Sequence, residues 1–166
     1  PRVQVAIVNA SGNKLEAYVQ AHVDYSVGAC RTDLPRRSAT IKVRLTNTAP
    51  DRGLPSYVAG RLDLNQPNPR PQGSTRELVY VHLPRGSSLV KATFAGKEIQ
   101  PIGHANESKR KVYRFLIVSQ GQSVQDLVVD YDESTVEQVA NPTVGVQPMA
   151  LPMTTSVQPS TLCPAS

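Results

Sequence analysis

Hydrophobic residues recur at every second position in several short segments of the chain. The clearest case is the segment 39–47, where Ile41, Val43 and Leu45 alternate with polar residues. Successive side chains of a strand face opposite sides, so this alternation predicts a strand with one buried face. Similar patterns, bounded by turn residues, predict further strands at 3–9, 23–30, 75–84, 88–96, 97–102, 112–118 and 123–132.

Eight or nine short strands with almost no helix are typical of an all-β domain. The pattern favours an antiparallel β-sandwich with immunoglobulin-like architecture, and a barrel is the alternative. The Cys…Trp…Cys pattern of immunoglobulin domains proper is absent, because the chain has no Trp. One short helix is predicted near the N-terminus, from Lys14 to about Val19, because Asn13 and Glu16 have the spacing of a capping box.

The domain organisation follows from where the alternation ends. Residues 1–140 are predicted to form the sandwich, and residues 141–166 a Pro-rich extended strand or tail packed on the same domain. Pro148 and Pro152 confine that tail to a sheet edge or a bulge, since proline cannot donate a hydrogen bond within a sheet.

Composition and charge narrow the classes of partner. The chain has 166 residues, a net charge of +5 and a pI of about 9.4. Nucleic-acid binders cluster basic residues and interleave aromatic ones, whereas here the basic groups are the run Lys109–Lys111 and the pair Arg36–Arg37. We interpret both as turn and strand-edge charges. We therefore expect no nucleic-acid partner.

The two cysteines, Cys30 and Cys163, lie far apart in the sequence. In an oxidising compartment they would form one disulfide bond that closes most of the chain. The alternative is a pair of unpaired thiols. We favour the disulfide, because Cys163 would otherwise end a Pro-rich tail that nothing holds.

No motif of catalysis or cofactor binding stands out in the sequence. The chain has no Gly-x-Ser-x-Gly elbow, no phosphate-binding glycine loop and no cysteine pair spaced for zinc. Asp130 and Asp132 share one strand face and could hold calcium, but a solvated strand end is the simpler interpretation. The histidines, His22, His82 and His104, are scattered along the chain. We expect no cofactor.

The loop after Leu45 is the candidate binding element. It runs from Thr48 to Gln72, and connections of this length are often functional or mobile. Its apolar residues Leu54, Tyr57 and Val58 stand where a solvated loop would be polar. Either they cap the open end of the sandwich, which is the favoured interpretation, or they form a small apolar lip that binds a partner.

Four segments resemble the C-terminal part of a bacterial protein family called domain of unknown function 4012. They are NKLEAYV (13–19), YSVGAC (25–30), VRLTNTAPDRGLPSYVAGR (43–61) and VYVHLPRGSSL (79–89), in this order. The family consists of membrane-anchored envelope proteins of actinobacteria and related Gram-positive bacteria. The resemblance covers about Val3 to Asp132. The chain departs from the family at Ala17-Tyr18, where members tend to have two tyrosines.

This resemblance implies an extracytoplasmic location and a single membrane anchor upstream of the chain. The start at Pro1 instead of Met suggests a processed product or a fragment. The family has no established activity, so no catalytic residue is transferred. We expect a non-enzymatic module of a cell-envelope protein that supports assembly or binds an envelope polymer or protein. The alternatives are an enzyme or transferase acting on an envelope polysaccharide, and a calcium-dependent adhesion module.

Overall fold

Two β-sheets make up most of the chain in the computed structural model. The structure describes residues 2–60, 71–158 and 161–164, and of Arg2 the backbone alone. The helical segments are a 3-10 helix at Leu15–Tyr18 and the short helix α1 at Ser56–Ala59. The strands are β1 (Arg2–Asn9), β2 (Val19–Cys30), β3 (Arg36–Asn47), β4 (Thr75–His82), β5 (Ser88–Phe94), β6 (Lys97–Glu98), β7 (Gly103–Glu107), β8 (Arg110–Ser119), β9 (Ser123–Ser134), β10 (Thr143–Val146) and β11 (Thr154–Val157).

The predicted all-β class is confirmed, because 55% of the described residues lie in strands and 5% in helices. The short helix predicted near the N-terminus is the 3-10 helix. Strand β7 continues to Glu107 and β8 begins at Arg110, with Ser108 and Lys109 at positive φ in the turn.

The two sheets pack face to face as a sandwich. The first has the order β10-β1-β4-β8-β7 and the second the order β11-β2-β3-β9-β5-β6. Residues at every second position of the central strands form the shared core, as the alternation predicts. Its fully buried members include Val5, Val23, Ile41, Val43, Leu45, Val79, Val81, Phe115, Leu127 and Val129.

The prediction of purely antiparallel sheets is corrected. Strands β10 and β11 run parallel to their neighbours, β10 beside β1 and β11 beside β2, so both sheets are mixed. The chain passes from the first sheet to the second between β10 and β11, and there Met149 and Met153 pack against the core. The two strands do not form an antiparallel hairpin with each other. Instead, the C-terminal segment adds β10 to the edge of the first sheet and then β11 to the edge of the second.

A disulfide bond closes the C-terminal segment onto the sandwich. Cys30, the last residue of β2, is bonded to Cys163 over a sequence separation of 133. The predicted bridge is therefore confirmed. Structural disulfides persist in oxidising compartments, so the bond indicates an extracytoplasmic environment. Within the described residues, the helices are too short to cross a lipid bilayer.

Candidate functional site

The predicted binding residues lie on and just before helix α1, in the loop that follows β3. Residues 61–70 of this loop are outside the described part of the chain. Pro55 precedes α1, and its carbonyl accepts hydrogen bonds from Val58 N (2.9 Å) and Ala59 N (3.0 Å). A proline pre-sets its own backbone torsion and keeps the residue before it extended, which suits a chain entering a helical turn.

Helix α1 docks on the connection between β1 and β2. Lys14 N donates a hydrogen bond of 2.9 Å to the carbonyl of Val58. The ammonium of Lys14 lies 5.5 Å from the centre of the Tyr57 ring, within the range of a cation–π contact. The backbone of α1 is thus fixed on one side by a residue that also faces the aromatic ring.

Burial divides the three predicted binding residues. Leu54 and Val58 are half-buried, whereas the side chain of Tyr57 is 71% exposed. Ala59, which the sequence interpretation did not single out, is the buried residue of the helix. The loop therefore holds part of its apolar surface against the sandwich and leaves one aromatic ring in solvent.

Buried polar contacts fix the base of this loop. Asn47, the last residue of β3, donates to the carbonyl of Gly73 (2.9 Å) and accepts a hydrogen bond from Ala49 N (3.0 Å). Thr48 N donates to the carbonyl of Tyr18 (2.9 Å). A buried Asn satisfied in this way holds both ends of the connection, so the loop starts and ends on a rigid frame.

A second candidate site is a pocket of about 380 Å³ beside the 3-10 helix, which we call the Glu77 pocket. It lies among the end of β1, the 3-10 helix and the segment 147–150, and β4 supplies Glu77. Asn9 and Glu77 are direct partners in the β1–β4 register. Its lining includes Ile7, Asn9, Glu16, Glu77, Gln147 and Met149. In the sequence, Glu16 stands out for its capping-box spacing from Asn13, and no pattern marks any of these six residues as part of a site.

Glu77 is an unusual residue for a strand interior. Its side chain is on the same inward-facing side of β4 as those of Val79 and Val81, and it is 2% exposed. Burial raises the pKa of its carboxyl to about 7, a hydrogen bond with the Thr75 side chain opposes that rise, and the charge of Glu16 adds to it. Near neutral pH this carboxyl can therefore be either protonated or ionised.

A buried ionic cluster lies near the start of β3, at the other end of this strand from Asn47 and the loop that follows it. Arg37 Nε is 2.5 Å from Glu133 Oε2, and the hydroxyl of Tyr25 donates to Glu133 Oε1 at 2.6 Å. Burial raises the pKa of Tyr25, as does its bond with Glu133. Arg37 is the register partner of Cys30. This cluster joins three strands next to the disulfide, and we interpret it as structural.

The other residues considered for chemistry do not converge. His82 lies on the outer face of the first sheet, whereas Asp130 and Asp132 lie on the outer face of the second. Asp130 accepts a hydrogen bond from Thr40, and Asp132 lies 4.0 Å from Arg31. In the described ranges, no three His, Cys, Asp or Glu side chains are grouped so that they could hold a metal ion.

Comparisons with known proteins give backbone similarities alone. No family model and no curated protein matches the chain. An M1 zinc metallopeptidase from Deinococcus radiodurans matches 70% of this chain with 20% of its own length, at 13% identity and a TM-score of 0.36. A putative nutrient binding protein from Legionella pneumophila matches 78% with 43% of its own length, at 7% identity and a TM-score of 0.39. The chain thus spans less than half of either protein.

Proposed function

We propose that the chain is a non-enzymatic binding module of a cell-envelope protein, and that the loop Pro50–Gly60 contacts an envelope polymer or a protein partner. Leu54, Tyr57 and Val58 are the contact residues. The disulfide supports an extracytoplasmic place of action, and the two packed sheets support an immunoglobulin-like architecture with parallel edge strands added. The family resemblance supports the assignment to the envelope.

The exposure of Tyr57 is the observation that carries this proposal. The ring is 71% exposed although its helix is fixed by a backbone bond to Lys14. An aromatic ring on a fixed backbone loses little conformational entropy when it binds, and its face can stack on a sugar or pack against an apolar side chain. The Lys14 ammonium beside it adds a charge that an anionic polymer or an acidic protein segment would meet.

The two other functions considered have less support. A catalytic site built from His82 and Asp130 would need both in one cleft, and they lie on opposite faces of the sandwich. A calcium site at Asp130 and Asp132 would need free carboxylates, whereas Thr40 and Arg31 already approach them. We do not propose either function.

Co-sedimentation with insoluble cell envelopes of an actinobacterium tests the proposal. We expect the wild-type protein to sediment with the envelopes and the Tyr57→Ala variant to lose at least about fivefold in affinity, because one buried aromatic contact is typically worth more than 1 kcal/mol. The matched control is Val136→Ala, which truncates a side chain that is 75% exposed outside this loop. Envelopes digested with protease beforehand separate a polymer ligand from a protein ligand.

The melting temperature of the same variant separates binding from capping. A stable Tyr57→Ala protein with weakened binding supports the proposal. A large loss of melting temperature would instead mean that the ring caps the fold. Equal sedimentation of the wild type and the variant would refute the loop as the contact.

A further inference from the structure

The Glu77 pocket contains a buried carboxyl group that has no cationic partner among the described residues. Glu77 is 2% exposed, and buried carboxylates are normally paired with a cation or saturated with hydrogen bonds. Its one hydrogen-bonding neighbour that affects its pKa is Thr75. Among the described residues that line the pocket, none is a lysine, arginine or histidine.

The other polar groups of the pocket do not compensate for this charge. From the 3-10 helix comes Glu16, a second carboxylate, whose charge raises the pKa of Glu77 further. The amide nitrogen of Asn9 donates to Asn13, and that of Gln147 donates to the carbonyl of Ile7. Asn13 therefore engages both N–H groups of the Asn9 amide, and Ile7 engages one of the two of Gln147. The described lining thus presents two acids and no cationic side chain.

The remaining lining of the pocket is apolar. Ile7 comes from β1, and Pro148 and Met149 come from the segment that crosses between the sheets. The volume of about 380 Å³ is within the range of small-ligand sites. A group that fits these walls has an aliphatic stem that packs on the apolar side chains and a cationic end that meets the carboxylates.

We propose that the Glu77 pocket binds a primary ammonium group on an aliphatic stem, which is the chemistry of a lysine side chain or of a free alkyl diamine. The flexible thioether of Met149 can adjust to the stem. The ammonium ion donates to Glu77 and is attracted by the charge of Glu16. This site is separate from the loop Pro50–Gly60, which we call the Tyr57 loop, and it stands whether or not that loop binds a partner.

Binding of such a ligand is linked to a proton. The ammonium stabilises the ionised form of Glu77, so the ligand lowers the pKa of a carboxyl that burial holds near 7 and expels its proton. Affinity must then rise with pH below about pH 7, by at most tenfold per pH unit for one proton, and level off above it. The alkylammonium itself stays charged throughout this range, since its own pKa is near 10.

A titration of the intact, oxidised chain tests the site. The probes are Nα-acetyl-lysine N-methylamide, its norleucine counterpart with the same stem but no charge, and 1,5-diaminopentane. The readouts are the carbon-13 shift of the Glu77 carboxyl and the heat of binding in buffers of different ionisation enthalpy. We expect saturable binding of at least one amine, a pKa of Glu77 lowered by about one unit or more, and proton release.

Three Glu→Gln variants test the role of each carboxylate, and two probes identify the source of the amine. Glu77→Gln should abolish the pH dependence of binding and lower the affinity at least about tenfold. Glu16→Gln should weaken binding and keep the pH dependence, and Glu137→Gln, an exposed acid outside the pocket, should change neither. Stronger binding of the capped lysine than of the diamine identifies a peptide side chain as the source, and the reverse identifies a free amine.

Three results would overturn the proposal. One is that neither amine binds at concentrations up to about 50 mM, well above typical weak-site affinities. Another is that the norleucine probe binds as well as the lysine probe. The third is that Glu77 titrates in the wild-type protein with the same pKa with and without the amines, a measurement that needs no variant to fold.

Discussion

Arg37 and Glu133 form an ion pair inside the sandwich, with 2.5 Å between Nε and Oε2 and exposures of 1% and 0%. The two residues are direct register partners in β3 and β9. A second pair joins the same two strands on the outer face, where Arg44 Nε lies 3.0 Å from Asp126 Oδ1 at exposures of 46% and 33%. Strands β3 and β9 are thus joined by two arginine–carboxylate pairs, one buried and one exposed.

Removal of the buried arginine should be far more costly than removal of the exposed one. Arg37→Ala leaves Glu133 buried without a cation, and we expect a loss of about 3–5 kcal/mol in the free energy of unfolding. Arg44→Ala leaves Asp126 in contact with water, and we expect a loss of about 1 kcal/mol or less. Urea unfolding of both variants measures the difference. Similar losses would mean that water reaches the inner pair.

The phase of the strands explains which parts of the structure the sequence predicts. Ile41, Val43 and Leu45 fix the inward positions of β3, and two more steps of the same phase lead to Arg37. We interpreted the Arg36–Arg37 pair as turn and strand-edge charge, whereas Arg37 lies at an inward position and is buried. Glu77 and Glu133 continue the inward phases of β4 and β9 in the same way. In each case, a charged residue at a position that the alternation predicts to face the core was the feature of the sequence that indicated a buried charge.

Contacts between distant segments could not be predicted from the sequence. The Glu77 pocket brings together residues 9, 16, 77 and 147, which no periodicity connects. The parallel pairing of β10 with β1 depends on where the C-terminal segment meets the sandwich, and Pro148 and Pro152 hide its strand pattern. The disulfide was predictable, because two cysteines allow one pairing.

The raised pKa of Glu77 predicts a particular dependence of stability on pH. Between its usual value of 4.5 and its folded value of about 7, the folded protein holds the proton more firmly than the unfolded chain. The contribution of this group to stability therefore falls as pH rises across that window and is constant above it. The full change is about 3 kcal/mol.

Glu77→Gln isolates this contribution. We expect the difference in unfolding free energy between the variant and the wild type to shift by about 3 kcal/mol in favour of the variant between pH 4.5 and pH 8. Glu137→Gln, at an acid that is 67% exposed, should shift it by less than about 0.5 kcal/mol. Denaturant unfolding at several pH values measures both. A shift of the same size in both variants would contradict burial as the cause.

The disulfide should contribute strongly to stability, because it closes a loop of more than 130 residues. The chain-entropy relation gives about 4–5 kcal/mol for a loop of this length. We expect the double variant Cys30→Ser, Cys163→Ser to lose most of that amount in urea unfolding. A reductant should lower the wild type to the level of the double variant and leave the double variant unchanged. A loss below about 1 kcal/mol would show that the unfolded chain gains little freedom.

Gly73 should tolerate no side chain, because the start of the Tyr57 loop passes directly over it. A Cβ atom there would lie 2.5 Å from the Pro50 carbonyl oxygen and 2.8 Å from that of Ala49. Both are backbone atoms that cannot rotate away, so we expect Gly73→Ala to cost about 2–3 kcal/mol. The control is Gly53→Ala, where φ is +82° and no atom lies within 4 Å, with an expected loss of about 1 kcal/mol from backbone strain. Both changes restrict the unfolded chain equally, so the difference between the two variants in thermal unfolding is the cost of the clash at position 73 less the cost of the backbone strain at position 53. A smaller loss for Gly73→Ala than for Gly53→Ala would mean that the base of the loop can move aside.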